Sequence, residues 1–224
     1  MSLLLFDVDG TLVLSGGAGL RALERAFERR HGRRGATAGI RANGMTDPVI
    51  VHDMYRAQLG VEPDDAETSA FLADYVRFLE VEVASSSGYH LLPGLPGVLD
   101  VLQDAGHVIG LATGNVRDGA RLKLERGGLW SRFPFGGFGD DAADRTEMVR
   151  IAARRAPRAF AAEDTWVIGD TPRDVSAARA TGFRALAVAT GGHSLDELRE
   201  TCPDLAMPTL EGVAAALPTA ALPR

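Results

Sequence analysis

The segment LLLFDVDGTLV, residues 3–13, places two aspartates directly after an apolar run. Its first four residues predict a buried β-strand, and Asp7 and Asp9 follow two positions apart. Side chains alternate faces along a strand, so both carboxylates are expected to point the same way. Two like charges this close raise each other's pKa unless a cation lies between them. Asp-Gly turn chemistry explains Asp9 and Gly10, but it gives no reason for Asp7.

The composition is that of an ordinary globular protein. Of the 224 residues, 46% are apolar, and the formal net charge of −6 argues against nucleic acid as a partner. Cys202 is the only cysteine, which rules out an internal disulfide and fits a reducing compartment. Neither a membrane-spanning stretch nor a signal peptide pattern is recognisable. We therefore expect a cytoplasmic protein, without membrane partner, that is a monomer or a weak homodimer.

Apolar runs of strand length alternate with helical patterns in the second half of the chain. Together with the first strand they predict at least four strands separated by helices, which is typical of a Rossmann-like α/β fold with a parallel sheet and helices on both faces. The predicted strands lie at 107–113, near 133–138, at 165–170 and at 184–190. The predicted helices lie at 116–128, at 148–156 with Asp144 as N-cap, and at 172–181 with Pro172 at the start and Gly182 past the end.

Residues 15–88 differ from the rest of the chain because their patterns are helical only. Three helices are predicted, at 20–30, at 47–60 with Asp47 as cap, and at 70–83. Small residues border this region at 15–19 and at 84–88. We interpret 15–88 as a helical cap domain inserted into a discontinuous core of residues 1–14 and 89–224. A continuous single domain with a helical layer is the alternative. The last residues, 215–224, are expected to be frayed.

Chemistry-bearing side chains follow three of the predicted strands. In open parallel sheets, ligands bind outside the carboxyl ends of the strands, near the point where strand order reverses. Asp7, Asp9, Thr113 and Asp170 lie at such ends, and Asp174 follows one helical turn after Asp170. Carboxylates without histidine or cysteine suit a hard cation such as Mg²⁺. Such an ion would also neutralise the repulsion between the first two acids.

Three of these motifs resemble those of the haloacid dehalogenase-like hydrolase superfamily. DVDGT (7–11), Thr113 and GDTPRDV (169–175) are similar to its first, second and fourth motifs in order and spacing, and residues 15–88 lie where its helical cap lies. The phosphoglycolate-phosphatase-like branch is the most similar. The resemblance implies a Mg²⁺-dependent phosphatase that hydrolyses a small phosphate monoester, phosphoglycolate-like or a sugar phosphate, through an aspartyl-phosphate.

The resemblance also implies roles for the two aspartates after the first strand. Asp7 would attack phosphorus and ligate the metal. Asp9 would protonate the departing alkoxide, take a proton from the hydrolytic water, and ligate Mg²⁺ through its backbone carbonyl. A dehalogenase would not need the second acid, because a halide leaves without a proton. Asp9 therefore favours phosphoryl transfer.

The remaining motif residues would bind the metal and the phosphoryl group. Asp170 would ligate Mg²⁺, and Asp174 would hold the ligands in place or join them. Thr113 and the backbone amide of Gly114 would bind phosphoryl oxygens. A β-branched strand residue is the alternative interpretation of Thr113.

The family usually supplies a lysine before the fourth strand, and this chain departs from that pattern. Lys123 is the only lysine, but it lies inside a predicted helix close after Thr113, so we expect it on a solvated helix face. Arg145 is the better candidate for catalysis and phosphate binding. It follows Asp144 at the start of a helix, where the dipole disfavours a cation, so nearby anions would explain it. Arg150, Arg154 and a surface position for Arg145 are the alternatives.

Specificity is expected to reside in the cap, where Arg21, Arg41 and residues 43–47 are candidates to face the crevice. A sugar phosphomutase would share every core motif. A receiver-like signalling domain also has clustered acids on a parallel sheet, but it is shorter and lacks a helical insertion after the first strand.

Overall fold

The computed structural model describes residues 1–217, and within them eight strands and nine α-helices. The strands are β1 (Leu3–Phe6), β2 (Val13–Ser15), β3 (Tyr89–Leu91), β4 (Val108–Ala112), β5 (Gly136–Gly137), β6 (Thr165–Gly169), β7 (Arg184–Val188) and β8 (Leu205–Met207). The helices are α1 (Ala18–His31), α2 (Asp47–Leu59), α3 (Asp65–Ser85), α4 (Gly97–Asp104), α5 (Arg117–Arg126), α6 (Arg145–Arg154), α7 (Pro172–Thr181), α8 (Leu195–Glu200) and α9 (Val213–Ala216). No helix in this part of the chain is long and apolar enough to cross a membrane.

Six strands form one parallel sheet in the order β5-β4-β1-β6-β7-β8, which confirms the predicted α/β class. Central strand β1 pairs with β4 on one side and with β6 on the other, so that Leu3 lies opposite Val108 and Thr165. The chain runs from β1 to β4 and β5, and then returns across β1 to β6. The order therefore reverses at β1, and the carboxyl ends of β1, β4 and β6 lie side by side.

The apolar runs are continuous because both faces of the sheet are buried. Leu4 and Phe6 pack into one hydrophobic cluster with α4 and α5, whereas Leu3 and Leu5 pack into another with α6 and α7. Alternate residues of one strand thus contribute to opposite faces, as expected for a sheet covered by helices on both sides.

Helices α1, α2 and α3 share a hydrophobic cluster of their own, joined by Val116 at the start of α5. Its large members include Phe27, Tyr55, Phe71 and Tyr75. The antiparallel ribbon of β2 and β3 connects this part of the chain to the sheet, with Val13 opposite Leu91. The division into a cap at 15–88 and a core at 1–14 and 89–224 stays a prediction.

Several boundaries differ from those that the sequence predicts. The N-cap of α2 is Thr46 rather than Asp47, which is the first helical residue. The borders at 15–19 and 84–88 are not free linkers, because the Ser86 hydroxyl donates to the Ser15 carbonyl at 2.8 Å. At the end of the chain, α9 includes residues of the segment that we expect to be frayed, and Leu217 is buried. The rest of that segment, 218–224, lies outside the described residues.

Candidate functional site

Three buried carboxylates meet where strand order reverses. Asp7 follows β1, Asp170 follows β6, and Asp174 lies in the first turn of α7; each is at most 5% exposed. One oxygen from each of the three lies within 4.8 Å of the others. The backbone N–H of Asp7 donates to Ile168 at 2.9 Å, which continues the β1–β6 pairing up to the site. Parallel pairing of these two strands therefore brings together acids that are far apart in sequence.

The position of Asp174 follows from how α7 begins. Thr171 is the N-cap, and its backbone N–H and hydroxyl donate to Asp174 Oδ2 at 3.0 and 2.7 Å. This reciprocal cap occupies Oδ2 and leaves Oδ1 to accept from the Arg145 guanidinium. Gly10 and Gly191 lie against Asp170 from the other side, and a Cβ at either position would overlap its carboxylate. The two glycines are therefore needed for the close approach of the backbone to this acid.

The cluster carries more negative charge than its surroundings favour. Burial raises the pKa of Asp7 to about 6, although the Arg145 charge lowers it in part. Burial, together with the charges of Asp174 and Asp7, raises the pKa of Asp170 to about 8. Three hard oxygen donors in an electron-rich, buried group match the preferences of Mg²⁺. The residues present therefore fit the cation that the sequence predicts.

Arg145, at the first position of α6, turns toward these acids. Its Nη2 donates to Asp7 Oδ2 at 2.9 Å and to Asp174 Oδ1, and its Nη1 donates to the Gly44 carbonyl at 3.1 Å. The side chain is only 10% exposed, and the two carboxylates raise the pKa of its guanidinium further above its usual range. Its Nε is buried and has no hydrogen-bond partner among the described residues. These anions account for a cation at a helix N-terminus, where the dipole disfavours it.

The two alternative arginines of α6 lie elsewhere. Arg150 donates to the Ala180 carbonyl at 3.1 Å, and Arg154 pairs with Glu147 at 2.8 Å. Both side chains are more than 40% exposed.

The loop after β4 brings a second polar group to the site. Thr113 is fully buried, and its hydroxyl accepts from Asn115 Nδ2 at 2.8 Å. The same Nδ2 donates to Asp9 Oδ2 at 2.8 Å. Gly114 lies against the backbone of Met45, where a Cβ would overlap the carbonyl oxygen. Asn115 was not predicted from the sequence, although it directly follows the predicted Thr113 and Gly114.

Lys123 is not on a solvated face, so that expectation is wrong. It is 4% exposed, and its Nζ donates to Asp9 Oδ2 at 2.6 Å and to Asn115 Oδ1 at 2.5 Å. The cause is the orientation of α5, which buries one stripe that includes Ala120, Lys123 and Leu124. The i, i+3, i+4 spacing of these three residues was a signal in the sequence. A buried ammonium requires an anion, and Asp9 supplies it.

Asp47 is a further buried acid at this site; the sequence predicts it as a helix cap and, within residues 43–47, as a candidate to face the crevice. It is 6% exposed, its carboxylate accepts from Val116 N–H at 2.8 Å, and its own N–H donates to the Gly114 carbonyl at 2.7 Å. Burial raises its pKa to about 7, against a lowering by the Lys123 charge. These bonds join the start of α2 to the loop after β4.

The acid cluster with Arg145 and the polar group around Asp9 and Lys123 line one cavity. It has a volume of about 420 Å³ and lies between the sheet edge and helices α1–α3. Of the predicted site residues, Asp7, Asp9, Gly114, Arg145 and Asp170 contribute to its walls, whereas Thr113 and Asp174 lie behind them. From the segment 43–47, all but Thr46 face the cavity. Arg21 and Arg41 do not line it. Arg21 instead donates to Glu82 and to the Gly16 carbonyl, each at 2.7 Å.

Residues 4–179 match the haloacid dehalogenase-like hydrolase family, and the chain therefore belongs to that family of enzymes. Two curated relatives are similar in sequence. "Probable phosphatase IndB" of Dickeya dadantii is 28% identical over 96% of this chain and 92% of its own length. The phosphoglycolate phosphatase of Synechococcus elongatus is 30% identical over 53% of this chain and 55% of its own.

Solved structures of low identity share the fold. A hydrolase from Pseudomonas syringae is 20% identical with a TM-score of 0.75, covering 95% of this chain and 96% of that one. CbbY from Rhodobacter sphaeroides, solved in complex with phosphate, is 18% identical with a TM-score of 0.69, covering 86% of this chain and 87% of that one.

Proposed function

We propose that this hydrolase is a Mg²⁺-dependent phosphatase that hydrolyses small phosphate monoesters through an aspartyl-phosphate on Asp7. The observation that carries the proposal is the pairing of Asp7 with a buried Arg145, beside two further buried acids, at the wall of a cavity of small-molecule size. The names of the curated relatives support a phosphatase.

Asp7 has the surroundings of a nucleophile. Its Oδ1 accepts from the Val8 N–H at 2.8 Å, and its Oδ2 accepts from Arg145. An Asp7 oxygen forms a bond to phosphorus while the bond from phosphorus to the alkoxide oxygen breaks, and the alkoxide takes a proton from Asp9. Water then attacks phosphorus, and Asp9 accepts a proton from it. The bond between phosphorus and the Asp7 oxygen breaks, which releases inorganic phosphate and restores the Asp7 carboxylate.

Asp9 faces the cavity with its side chain 42% exposed, held by Lys123 and Asn115. Lys123 Nζ and Asn115 Nδ2 both donate to Asp9 Oδ2, at 2.6 and 2.8 Å, which fixes the orientation of this carboxyl group. Lys123 and Asn115 are therefore positioning residues, since both act on the reaction through Asp9.

The phosphoryl oxygens are expected at Thr113, the amide of Gly114 and Arg145. The planar guanidinium of Arg145 replaces the lysine that the family usually has, and it can contact two oxygens. Mg²⁺ would be held by Asp7, Asp170 and the backbone carbonyl of Asp9, with Asp174 in support. When bound, it supplies positive charge to the phosphoryl group.

Residues 15–88 would act as the cap over a core of 1–14 and 89–224. Four hydrogen bonds join the segment 43–47 to residues of the proposed core, through Gly44, Thr46 and Asp47. We further expect a cytoplasmic enzyme, monomeric or weakly dimeric, acting on a phosphorylated metabolite. The single exposed Cys202 is compatible with a reducing compartment.

The test is release of inorganic phosphate from p-nitrophenyl phosphate and a panel of small phosphate esters, with Mg²⁺ and after chelation. We expect Mg²⁺-dependent release by the wild type and none by Asp7→Asn. Equal activity of Asp7→Asn, or no release from any ester, would contradict the proposal. Product analysis separates a phosphatase, which releases phosphate, from a mutase, which returns an isomeric sugar phosphate.

A further inference from the structure

We propose that the Tyr75 hydroxyl binds a hydroxyl group of the substrate's leaving alcohol, in a subsite that Gly19 keeps open. The inference rests on the proposed phosphatase function and deepens it, because it assigns a specificity-determining residue to the helical side of the cavity. The substrate class that fits is a phosphate monoester of a small polyol or sugar, rather than one of a plain alkyl alcohol.

Tyr75 lies on the buried stripe of α3, and its ring packs in the hydrophobic cluster of α1, α2 and α3. Phe71, one turn earlier on the same stripe, is fully buried in that cluster without any polar group. Packing therefore explains the ring of Tyr75 but not its hydroxyl. Among the buried residues of α3, Tyr75 alone lines the cavity.

The hydroxyl of Tyr75 has no hydrogen-bond partner among residues 1–217, although the residue is only 1% exposed. Tyrosine hydroxyls in buried positions usually have a partner, because an unpaired polar group there costs free energy. The two other tyrosines follow this rule, since Tyr55 donates to Glu67 and Tyr89 donates to the Lys123 carbonyl. A ligand in the cavity would supply the partner that Tyr75 lacks.

Gly19, in the first turn of α1, leaves open the space in front of this hydroxyl. A Cβ at this position would lie 3.7 Å from Lys123 Nζ and 3.8 Å from the Tyr75 hydroxyl oxygen, which are ordinary contact distances. The backbone of Gly19 is helical, so neither its conformation nor its packing requires glycine, which is unfavourable in a helix. Gly19 lines the cavity, and room for a ligand accounts for the missing side chain.

The space beside Gly19 lies on the leaving-group side of the site. Lys123, which borders it, donates to Asp9 at 2.6 Å, and Asp9 protonates the departing alkoxide in the proposed mechanism. Leu20 and Leu23 of α1 add apolar surface to the cavity. One hydrogen-bonding group among apolar walls, close to the acid, suits a hydroxylated alcohol of a few carbon atoms.

The experiment compares glycerol 1-phosphate with n-propyl phosphate, which have the same carbon chain and the same charge but differ in their hydroxyl groups. In Tyr75→Phe, we expect kcat/KM for glycerol 1-phosphate to fall about 3- to 10-fold, the range for one hydrogen bond, with kcat/KM for propyl phosphate nearly unchanged. Tyr55→Phe removes a hydroxyl from the same hydrophobic cluster but not from the cavity, so the ratio of the two esters should stay as in the wild type. Equal effects of Tyr75→Phe on both esters, or no effect on either, would overturn the inference.

Gly19→Ala tests the open space. We expect kcat/KM for glycerol 1-phosphate to fall about 10- to 100-fold, the range for an added methyl group at a close-packed position. Methyl phosphate, whose leaving group is too small to reach the subsite, should be little affected. The variant should unfold at the same or a higher temperature than the wild type, because alanine favours the helix, so that a loss of activity is not a loss of fold. Hydrolysis of glycerol 1-phosphate by Gly19→Ala at the wild-type rate would contradict a ligand in this space and overturn the inference.

p-Nitrophenyl phosphate tests the phosphatase function separately. If the wild type hydrolyses this ester but not glycerol 1-phosphate, the inference fails and the proposed function stands. If it releases phosphate from no ester at all, the proposed function itself fails.

Discussion

Each of the two aspartates after β1 is held by its own cation. Arg145 contacts Asp7 and Lys123 contacts Asp9, at 2.9 and 2.6 Å. The pairing separates the two acids electrostatically although they lie two residues apart in sequence. It also suits the two cations to different roles, since Arg145 contacts the carboxylate that we propose as the nucleophile and Lys123 contacts the one that we propose as the acid.

Arg145→Ala should reduce turnover severely because it leaves both Asp7 and the phosphoryl charge unbalanced. Losing one such electrostatic contact typically costs about 10²–10³-fold in turnover. Arg145→Lys should recover much of this loss if a point charge is sufficient, and less if both guanidinium nitrogens are needed. Steady-state kinetics on one ester at saturating Mg²⁺ distinguishes the two cases. Unchanged turnover in Arg145→Ala would exclude a catalytic role.

Asp9→Ala should lose more activity on alkyl phosphates than on p-nitrophenyl phosphate. An alkoxide needs a proton on departure, whereas nitrophenolate needs little, and general acid catalysis is typically worth about 10²–10⁴-fold. The measurement is kcat for both substrates in variant and wild type. Equal losses on both would contradict the assignment of Asp9 as the acid.

Lys123→Met should show the same dependence on leaving group as Asp9→Ala, in a weaker form of about 10- to 100-fold, because it acts through Asp9. Methionine keeps most of the buried stem, so a loss of packing is limited. Arg121→Met on the same helix is the matched control, since Arg121 pairs with Asp118 and Glu125 on the outer face. A Lys123→Met enzyme as active as this control would show that the lysine is only structural.

At the scale of elements, the sequence predicts the strands with long apolar runs, and among the short strands only β5, which lies within the strand expected near 133–138. The sheet strands β1, β4, β6 and β7 are buried on both faces, so their sequences read as continuous apolar segments. Strands β2, β3 and β8 have three residues each, too few for any periodicity. The position of Lys123 depends on which face of α5 packs against the rest of the protein. Considered alone, a lysine in an amphipathic helix is expected on the face that is exposed to solvent. Tertiary packing buries Lys123 instead.

The start of α2 gives a prediction on stability. The pKa of Asp47 is about 7 in the fold and near 3.8 when unfolded, so between these values the folded state binds more protons. Stability from this group is therefore full at low pH and lost as pH rises toward 7. Asn can accept the same Val116 N–H without a charge. The free energy of unfolding of Asp47→Asn should therefore rise relative to that of the wild type as the pH increases. The difference should reach up to about 4 kcal/mol at pH 8, because each unit of pKa difference corresponds to about 1.4 kcal/mol.

The measurement is the free energy of unfolding in urea at pH 4, 6 and 8, without Mg²⁺, for both proteins. Asp7 and Asp170 also affect the pH dependence, but they are common to both and cancel in the difference. Asp53→Asn controls for loss of a charge from α2. A difference between Asp47→Asn and wild type that does not change with pH would mean that burial does not raise this pKa.

At the scale of the whole molecule, the site ties together the two halves of the sheet. Asp7 belongs to the centre of the sheet, and Asp170 and Asp174 to the strand and helix that follow the return crossover. Without a cation, burial and mutual repulsion both oppose this arrangement of acids, because burial and the charges of Asp174 and Asp7 together raise the pKa of Asp170 to about 8. If Mg²⁺ binds as proposed, the same three groups would form a crosslink between distant parts of the chain.

The effect of Asp170→Asn on stability, relative to the wild type, should therefore depend on Mg²⁺. In the presence of a chelator, the variant should unfold at the same or a higher temperature than the wild type, because one of three mutually repelling carboxylates is gone. Added Mg²⁺ should raise the Tm of the wild type by several degrees: binding at 100 times Kd contributes about 2.7 kcal/mol, and 1 kcal/mol corresponds to about 2–4 °C for a chain of this size. The variant, with one ligand fewer, should show a much smaller increase in Tm.

Asp196→Asn, which removes an exposed carboxylate on α8, should respond to Mg²⁺ as the wild type does. Equal Mg²⁺ shifts in Asp170→Asn and wild type would remove Asp170 from the metal site, even if Mg²⁺ proved necessary for turnover.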